Sequence, residues 1–341
     1  MIINAFTILM LFVSLITSLL SLILLLTSLF LYKKTSRLMS PEEKSLFEER
    51  SHLLFIIAST VFLIRLILWP FFYVTLHSYI PLVEGAMCIF GVTQVQPGFS
   101  TLLQIIKPFV FFSIGGWFIL NKIDERTGVA VLQARRLLIL SGASIIALLD
   151  SIGDLTYFPG FEMKRFVACC TTVFDFPEKR VTSRLSSVFL GERYQEFVMP
   201  AYYISNLLLI SLMLFIIIYY RHRNRYPLGL VITTALISIT NAIVTIIATF
   251  ERIGPEVMRT PLHHCLYCLW QHVPASILFS LFFIMGTYSA LWAMIIQFFR
   301  HKGFLSEIID NYTKKLYLAG IILISITVFA IWVRISFVNF L

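Results

Sequence analysis

The segment Thr260-Pro-Leu-His-His-Cys-Leu-Tyr-Cys-Leu-Trp-Gln-His272 gathers three of the chain's seven histidines and two of its five cysteines. Threonine suits a helix N-cap. Proline suits the first helical position, where the N–H it lacks has no intrahelical partner anyway. The pattern predicts a helix that starts at Thr260 and Pro261. In such a helix His264, Cys268 and His272 stand at successive i, i+4 steps, with Cys265 three residues before Cys268 on the adjoining strip. Two thiols and two imidazoles then share one face. Thiolates and imidazoles bind soft metals, and an activated thiol pair also exchanges electrons, so the segment alone leaves both chemistries open.

The elements that must position these side chains are membrane spans. With 341 residues, 58% of them hydrophobic and 13% charged, and a mean hydropathy of +0.87, the chain would expose too much apolar surface to stay soluble. A bilayer core of about 30 Å needs roughly 20 apolar residues of helix, and several segments reach that length. The alternation of apolar and polar residues expected of a transmembrane β-strand is absent, so the fold class is all-α. A net charge of +9 would suggest nucleic acid in a soluble chain. Here the basic residues cluster in short loops between apolar runs, which makes them topology signals and excludes a nucleic-acid partner. The first apolar run has no basic segment before it and is too long for a signal-peptide core, so it reads as a retained helix.

Run length gives about eight transmembrane helices, roughly 6–32, 52–78, 101–121, 137–158, 199–220, 228–250, 275–299 and 316–339. Loops one, three, five and seven carry sixteen Lys and Arg; loops two, four and six carry eight, spread over longer segments. The positive-inside rule makes the odd loops cytoplasmic and both termini extracytoplasmic. The whole chain, 1–341, is expected to form one integral membrane domain, with an extracytoplasmic loop subdomain at 159–198 whose Phe, Val and Leu among charges suggest short helices on the membrane surface. No internal repeat stands out. A seven-span receptor would discard a good apolar run, and no Asp-Arg-Tyr follows the third span. Neither a nucleotide-binding Gly-rich loop nor a nucleophile motif is present.

With this topology all five cysteines fall on the outer side: Cys88 in the second loop, Cys169 and Cys170 in the fourth, Cys265 and Cys268 in the sixth. Cysteine is a common apolar filler, so its absence from the spans is informative. Three readings follow. The thiols could form structural disulfides, although five is odd and adjacent Cys169 and Cys170 are poor mutual partners, their Cα atoms standing about 3.8 Å apart. They could bind copper or zinc, with Cys88, Cys169, Cys170, His263, His264, Cys265, Cys268 and His272 as the ligand pool. They could run thiol–disulfide exchange, since Cys265 in a first helical turn would have a lowered pKa.

The placement of Cys265 and Cys268 at the outer end of a span resembles the membrane thiol oxidoreductases of the DsbB and vitamin K epoxide reductase type. That resemblance implies Cys265 and Cys268 as redox cysteines and electron transfer to a quinone. More of the chain resembles a set of uncharacterised bacterial multi-pass membrane proteins, through Ala86-Met-Cys-Ile-Phe-Gly-Val-Thr93, Cys169-Cys170 and His263-His-Cys-Leu-Tyr-Cys268. This likeness implies that the three outer pieces act as one unit, in a prokaryotic inner (plasma) membrane.

A second layer lies deeper. Arg65 and Asp150 are each about 13 residues from the cytoplasmic edge of their spans, which puts both near 20 Å depth at 1.5 Å per residue and lets them pair. Lys107 and Asn241 come to about the same level, and Asp154 lies one turn beyond Asp150. Such groups can simply neutralise one another. Ionisable residues in a membrane interior are nonetheless candidate functional sites, and Arg65, Lys107 and Asp150 would suit a quinone head group or a proton relay. The leading expectation is a membrane protein whose outer Cys/His cluster binds a soft metal, copper first, for metal handling or metalloenzyme assembly. The alternatives are a quinone-coupled thiol–disulfide oxidoreductase and a non-catalytic subunit stapled by disulfides. Partners are the lipid bilayer and other membrane or periplasmic redox or metal proteins.

Overall fold

Eight helices among the described residues are long and apolar enough to cross a membrane, in agreement with run length. The computed structural model describes residues 4–35, 40–127, 133–162, 166–168, 175, 194–223, 225–300 and 304–340, and no strand occurs among them. The chain divides into two compact units, Met1–Val167 and Ala168–Leu341. Most of the loop expected to form a subdomain at 159–198, including Cys169 and Cys170, lies outside the described residues.

The spans of the first unit are α1 (Ala5–Lys34), α2 (Pro41–Ser78), α4 (Pro97–Thr127) and α5 (Gln133–Tyr157), with the short α3 (Ile89–Thr93) in the loop after α2. Helix α2 begins eleven residues before the apolar run does, because Ser40 and Glu43 form a capping box ahead of Pro41 that satisfies its first N–H groups. Helix α1 buries Ser14, Thr17, Ser21, Leu24, Ser28 and Leu31 along one stripe. Small side chains at that spacing let α1 lie close against α5, which turns Ser144, Ala147 and Ser151 inward, as in other helix pairs without a hydrophobic drive between them. Three of these hydroxyls lose little by burial, since Thr17, Ser28 and Ser151 bond backward to the carbonyls of Val13, Leu25 and Ala147.

The second unit contains α6 (Gln195–Arg223), α7 (Leu228–Ala248), α10 (Ala275–Phe298) and α11 (Phe304–Phe340). Between α7 and α10 run a π-helical turn (Thr249–Ile253), α8 (Gly254–Met258) and α9 (Leu266–His272). Helix α11 starts well before the expected 316 because its polar first turns are satisfied: Asp310 takes hydrogen bonds from Gln297 at 3.0 Å and Arg300 at 2.8 Å. In both units the first span packs on the second, the second on the third, the third on the fourth and the fourth on the first. The order of neighbours therefore repeats where the sequence does not. In both units, too, the loop between the second and third spans holds short helices and cysteine.

Candidate functional site

The π-turn decides how the sixth loop is arranged. Gly254 N–H donates to Thr249 O, five residues back, and this register assigns the Phe250 carbonyl to residue 255. Residue 255 is proline, which has no N–H. Phe250 O is left without its helical donor and accepts instead from His264 Nδ1, at 2.8 Å. Helix α8 then ends at Arg259, in the left-handed conformation (φ 59°), with Thr260 N–H returning to Pro255 O at 3.0 Å. That turn reverses the chain so that 260–265 runs back past the π-turn.

The expected helix from Thr260 is not formed; α9 starts at Leu266, with Cys265 as its N-cap residue. The reason is tertiary. His264 N–H donates to Asp175 Oδ1 at 3.0 Å, and His263 Nδ1 meets Asp175 Oδ2 at 2.8 Å. One carboxylate holds both histidines, and His264 falls outside the helix it was expected to share with Cys268 and His272. Within α9, Cys268 is buried while His272, one turn on, is exposed. Of the two thiols and two imidazoles expected on one face, Cys265, Cys268 and His264 are buried, His264 off the helix, and His272 is exposed at the end of α9.

Cys265 is 1% exposed and Cys268 7%. Their sulfurs lie within 4.8 Å of each other, and they are not joined in a disulfide. Leu269 packs with Ile253, Val257, Val198, Tyr202 and Ala248, which anchors α9 to the π-turn, α6 and α7. His264 is 2% exposed. Its Nδ1 faces a carbonyl, which can only accept, so in the neutral ring Nδ1 carries the proton and Nε2 the lone pair. That Nε2 is buried and has no hydrogen-bond partner among the described residues. Among the described residues, no imidazole or carboxylate falls within 4.8 Å of both sulfurs of the pair.

Cys88, in the first unit, is 1% exposed and is the N-cap residue of α3, beside Met87, which is 71% exposed. Two members of the expected ligand pool, Cys169 and Cys170, fall outside the described residues. Asp175, the residue that sets the histidines, was missed by sequence reasoning; it carries no local signal, standing 88 and 89 residues from its partners. Pro255 placed five residues after Phe250 is a signal that could have been found.

The deeper layer is a closed quartet inside the first unit. Arg65 on α2 pairs with Asp150 and, at 3.1 Å, with Asp154 on α5. Lys107 on α4 meets Asp150 and Asp154 at 3.0 Å each. Asp150 and Asp154 sit one turn apart on one face of α5 and bridge the same two cations. Ser14 of α1 stands 3.4 Å from both Arg65 Nη1 and Asp154 Oδ2, so all four spans meet there. Lys107 Nζ also lies 4.2 Å from the centre of the Phe72 ring, a cation–π contact. The pairing of Arg65 with Asp150 and the level of Lys107 match the depth arithmetic. Asp154 completes the set. Asn241 belongs to the second unit, where it donates to Asn206 Oδ1 at 3.0 Å and accepts from Ser205 at 2.7 Å. No family model matches the chain, and no curated protein and no solved structure matches it.

Proposed function

We propose that this multi-pass membrane protein binds a soft metal ion, copper first and zinc second, through Cys265 and Cys268 on its extracytoplasmic face, for metal handling or metalloenzyme assembly. The observation that carries this reading is the approach of two buried sulfurs to within 4.8 Å. Two sulfurs bound at about 2.3 Å to one ion stand about 3.8 Å apart in a tetrahedral site and about 4.6 Å apart in a linear one. Thiolates buried without a counter-charge are costly, and a metal cation supplies that charge. Cys88, Cys169, Cys170 and His263 remain in the proposal through topology alone. Outward orientation rests on the sixteen-to-eight split of basic residues between the two loop sets, and a prokaryotic inner membrane on the resemblance noted above.

Quinone-coupled thiol–disulfide exchange is the competing reading. It gains less from the geometry, because α9 is only 7 residues long and both sulfurs are buried from an attacking thiol. We assign the quartet a holding role, since each of its four carboxylate oxygens already meets a cation. A quinone or proton at Arg65, Lys107 and Asp150 would have to displace one of those pairs.

The test is elemental analysis of full-length protein purified without chelator, for the wild type and for Cys265→Ser with Cys268→Ser. About one copper per chain in the wild type, lost in the double variant, is the expected result. Equal metal in both samples, or none above background, overturns the reading. Orientation is checked separately: a cysteine at exposed position 272 (His272→Cys) should react with a membrane-impermeant maleimide in intact cells.

A further inference from the structure

We infer that His264 is the imidazole arm of the Cys265 and Cys268 site and that Asp175 is the residue that positions it; the inference rests on the soft-metal reading above. A histidine that binds metal through one ring nitrogen almost always donates its other N–H to a carboxylate or a backbone carbonyl, which fixes tautomer and ring orientation. His264 already has that second half. Its Nδ1–H is held by Phe250 O at 2.8 Å, a carbonyl that the π-turn and Pro255 leave available. Its Nε2 is buried and without a partner among the described residues, an arrangement that is destabilising until something binds there.

Asp175 supplies the second constraint. By accepting from the His264 backbone N–H and meeting His263 Nδ1, it keeps residues 263 and 264 out of the helix, so that His264 stays off α9 and its Nδ1 meets the π-turn. Had the helix begun at Thr260, the His264 N–H would have pointed back along it and the ring would have ridden with exposed His272. Since Nε2 does not lie within 4.8 Å of both sulfurs, metal entry must draw the imidazole and the thiols together. The donor set is then two sulfurs and one nitrogen with no carboxylate oxygen, which suits copper(I). Of the three histidines in the sixth loop, His263 is already engaged by Asp175 through Nδ1 and His272 is exposed. Only His264 combines a fixed tautomer with a buried open nitrogen.

The test uses the full chain in detergent, loaded with copper(I), read by X-ray absorption and by competition with a chromophoric copper(I) chelator. The wild type is expected to show sulfur scattering together with the outer-shell pattern of one imidazole. His264→Gln should lose the imidazole pattern and bind copper at least about tenfold more weakly, and His272→Ala should behave as wild type. Asp175→Ala should keep the imidazole pattern but weaken binding about 10- to 100-fold, the range for outer-shell partners of a metal ligand. Asp175→Asn, whose carbonyl can still accept from His264 N–H, should recover much of that loss. If His264→Gln folds poorly, His264→Ala supplied with free imidazole should regain the imidazole pattern. An imidazole pattern that persists in His264→Gln, or is missing from copper-loaded wild type, overturns the assignment of His264. Unchanged affinity in Asp175→Ala overturns its positioning role. Wild type that takes up no copper at all instead overturns the metal reading on which both depend.

Discussion

The two units share one order of helix neighbours but fill their interiors differently. The first buries two cations and two carboxylates in mutual contact. The second has at the comparable place amides and hydroxyls: Asn241 to Asn206, Ser205 to Asn241, and Asn206 to the Tyr202 carbonyl at 2.9 Å. A full set of buried charges is stable only while every member is paired, whereas a neutral network loses a member at modest cost. The charged interior is therefore the one less tolerant of losing a member. Among the described residues the cysteines stand in the loop between the second and third spans, Cys88 in the first unit and Cys265 and Cys268 in the second. Under the soft-metal reading, holding falls to the interior and chemistry to the loop of Cys265 and Cys268.

The largest expected effect comes from breaking the quartet. Lys107→Met leaves two buried carboxylates to share the one cation of Arg65 and should cost about 3–5 kcal/mol of stability, seen as lost folded yield and a lower unfolding temperature in detergent. Adding Asp150→Asn restores net neutrality and should recover part of the loss. The matching change in the second unit, Asn241→Leu, should cost about 1 kcal/mol, the scale of a hydrogen bond between helices in a membrane. Equal losses in the two units would remove the contrast between them.

How far the sequence reveals this architecture depends on the range of the forces involved. Span number follows from run length, which is local, and the pairing of Arg65 with Asp150 follows from depth, which needs only 1.5 Å per residue. Asp154 was within reach as well, since it lies four residues from Asp150 and must share its face. The start of α9 was not legible. Thr260 and Pro261 are good local start signals, and they lose to a carboxylate 88 residues away together with a carbonyl that Pro255 leaves without its helical donor. His272 keeps its expected i, i+4 step after Cys268 on α9 and is exposed there, while His264 is held off the helix.

A smaller effect sharpens the contrast between holding and chemistry in the second unit. Pro255→Ala supplies an N–H at the position from which Phe250 O could accept within the π-turn, in competition with His264 Nδ1. Copper(I) affinity should fall several-fold, by about 1 kcal/mol at most, while thermal stability stays close to wild type. A large stability loss with unchanged affinity would show that Pro255 serves the fold of the loop and not the imidazole.

The central claim is that Cys265 and Cys268 hold a metal as thiolates. Native mass spectrometry of the wild-type chain, purified without chelator or added metal, reads metal content and thiol state in one spectrum. The account predicts a species heavier by one copper ion, which reverts on acid treatment to the mass of the fully reduced chain. A metal-free species lighter by two hydrogens, restored to the reduced mass by a dithiol, would contradict it and favour thiol–disulfide exchange.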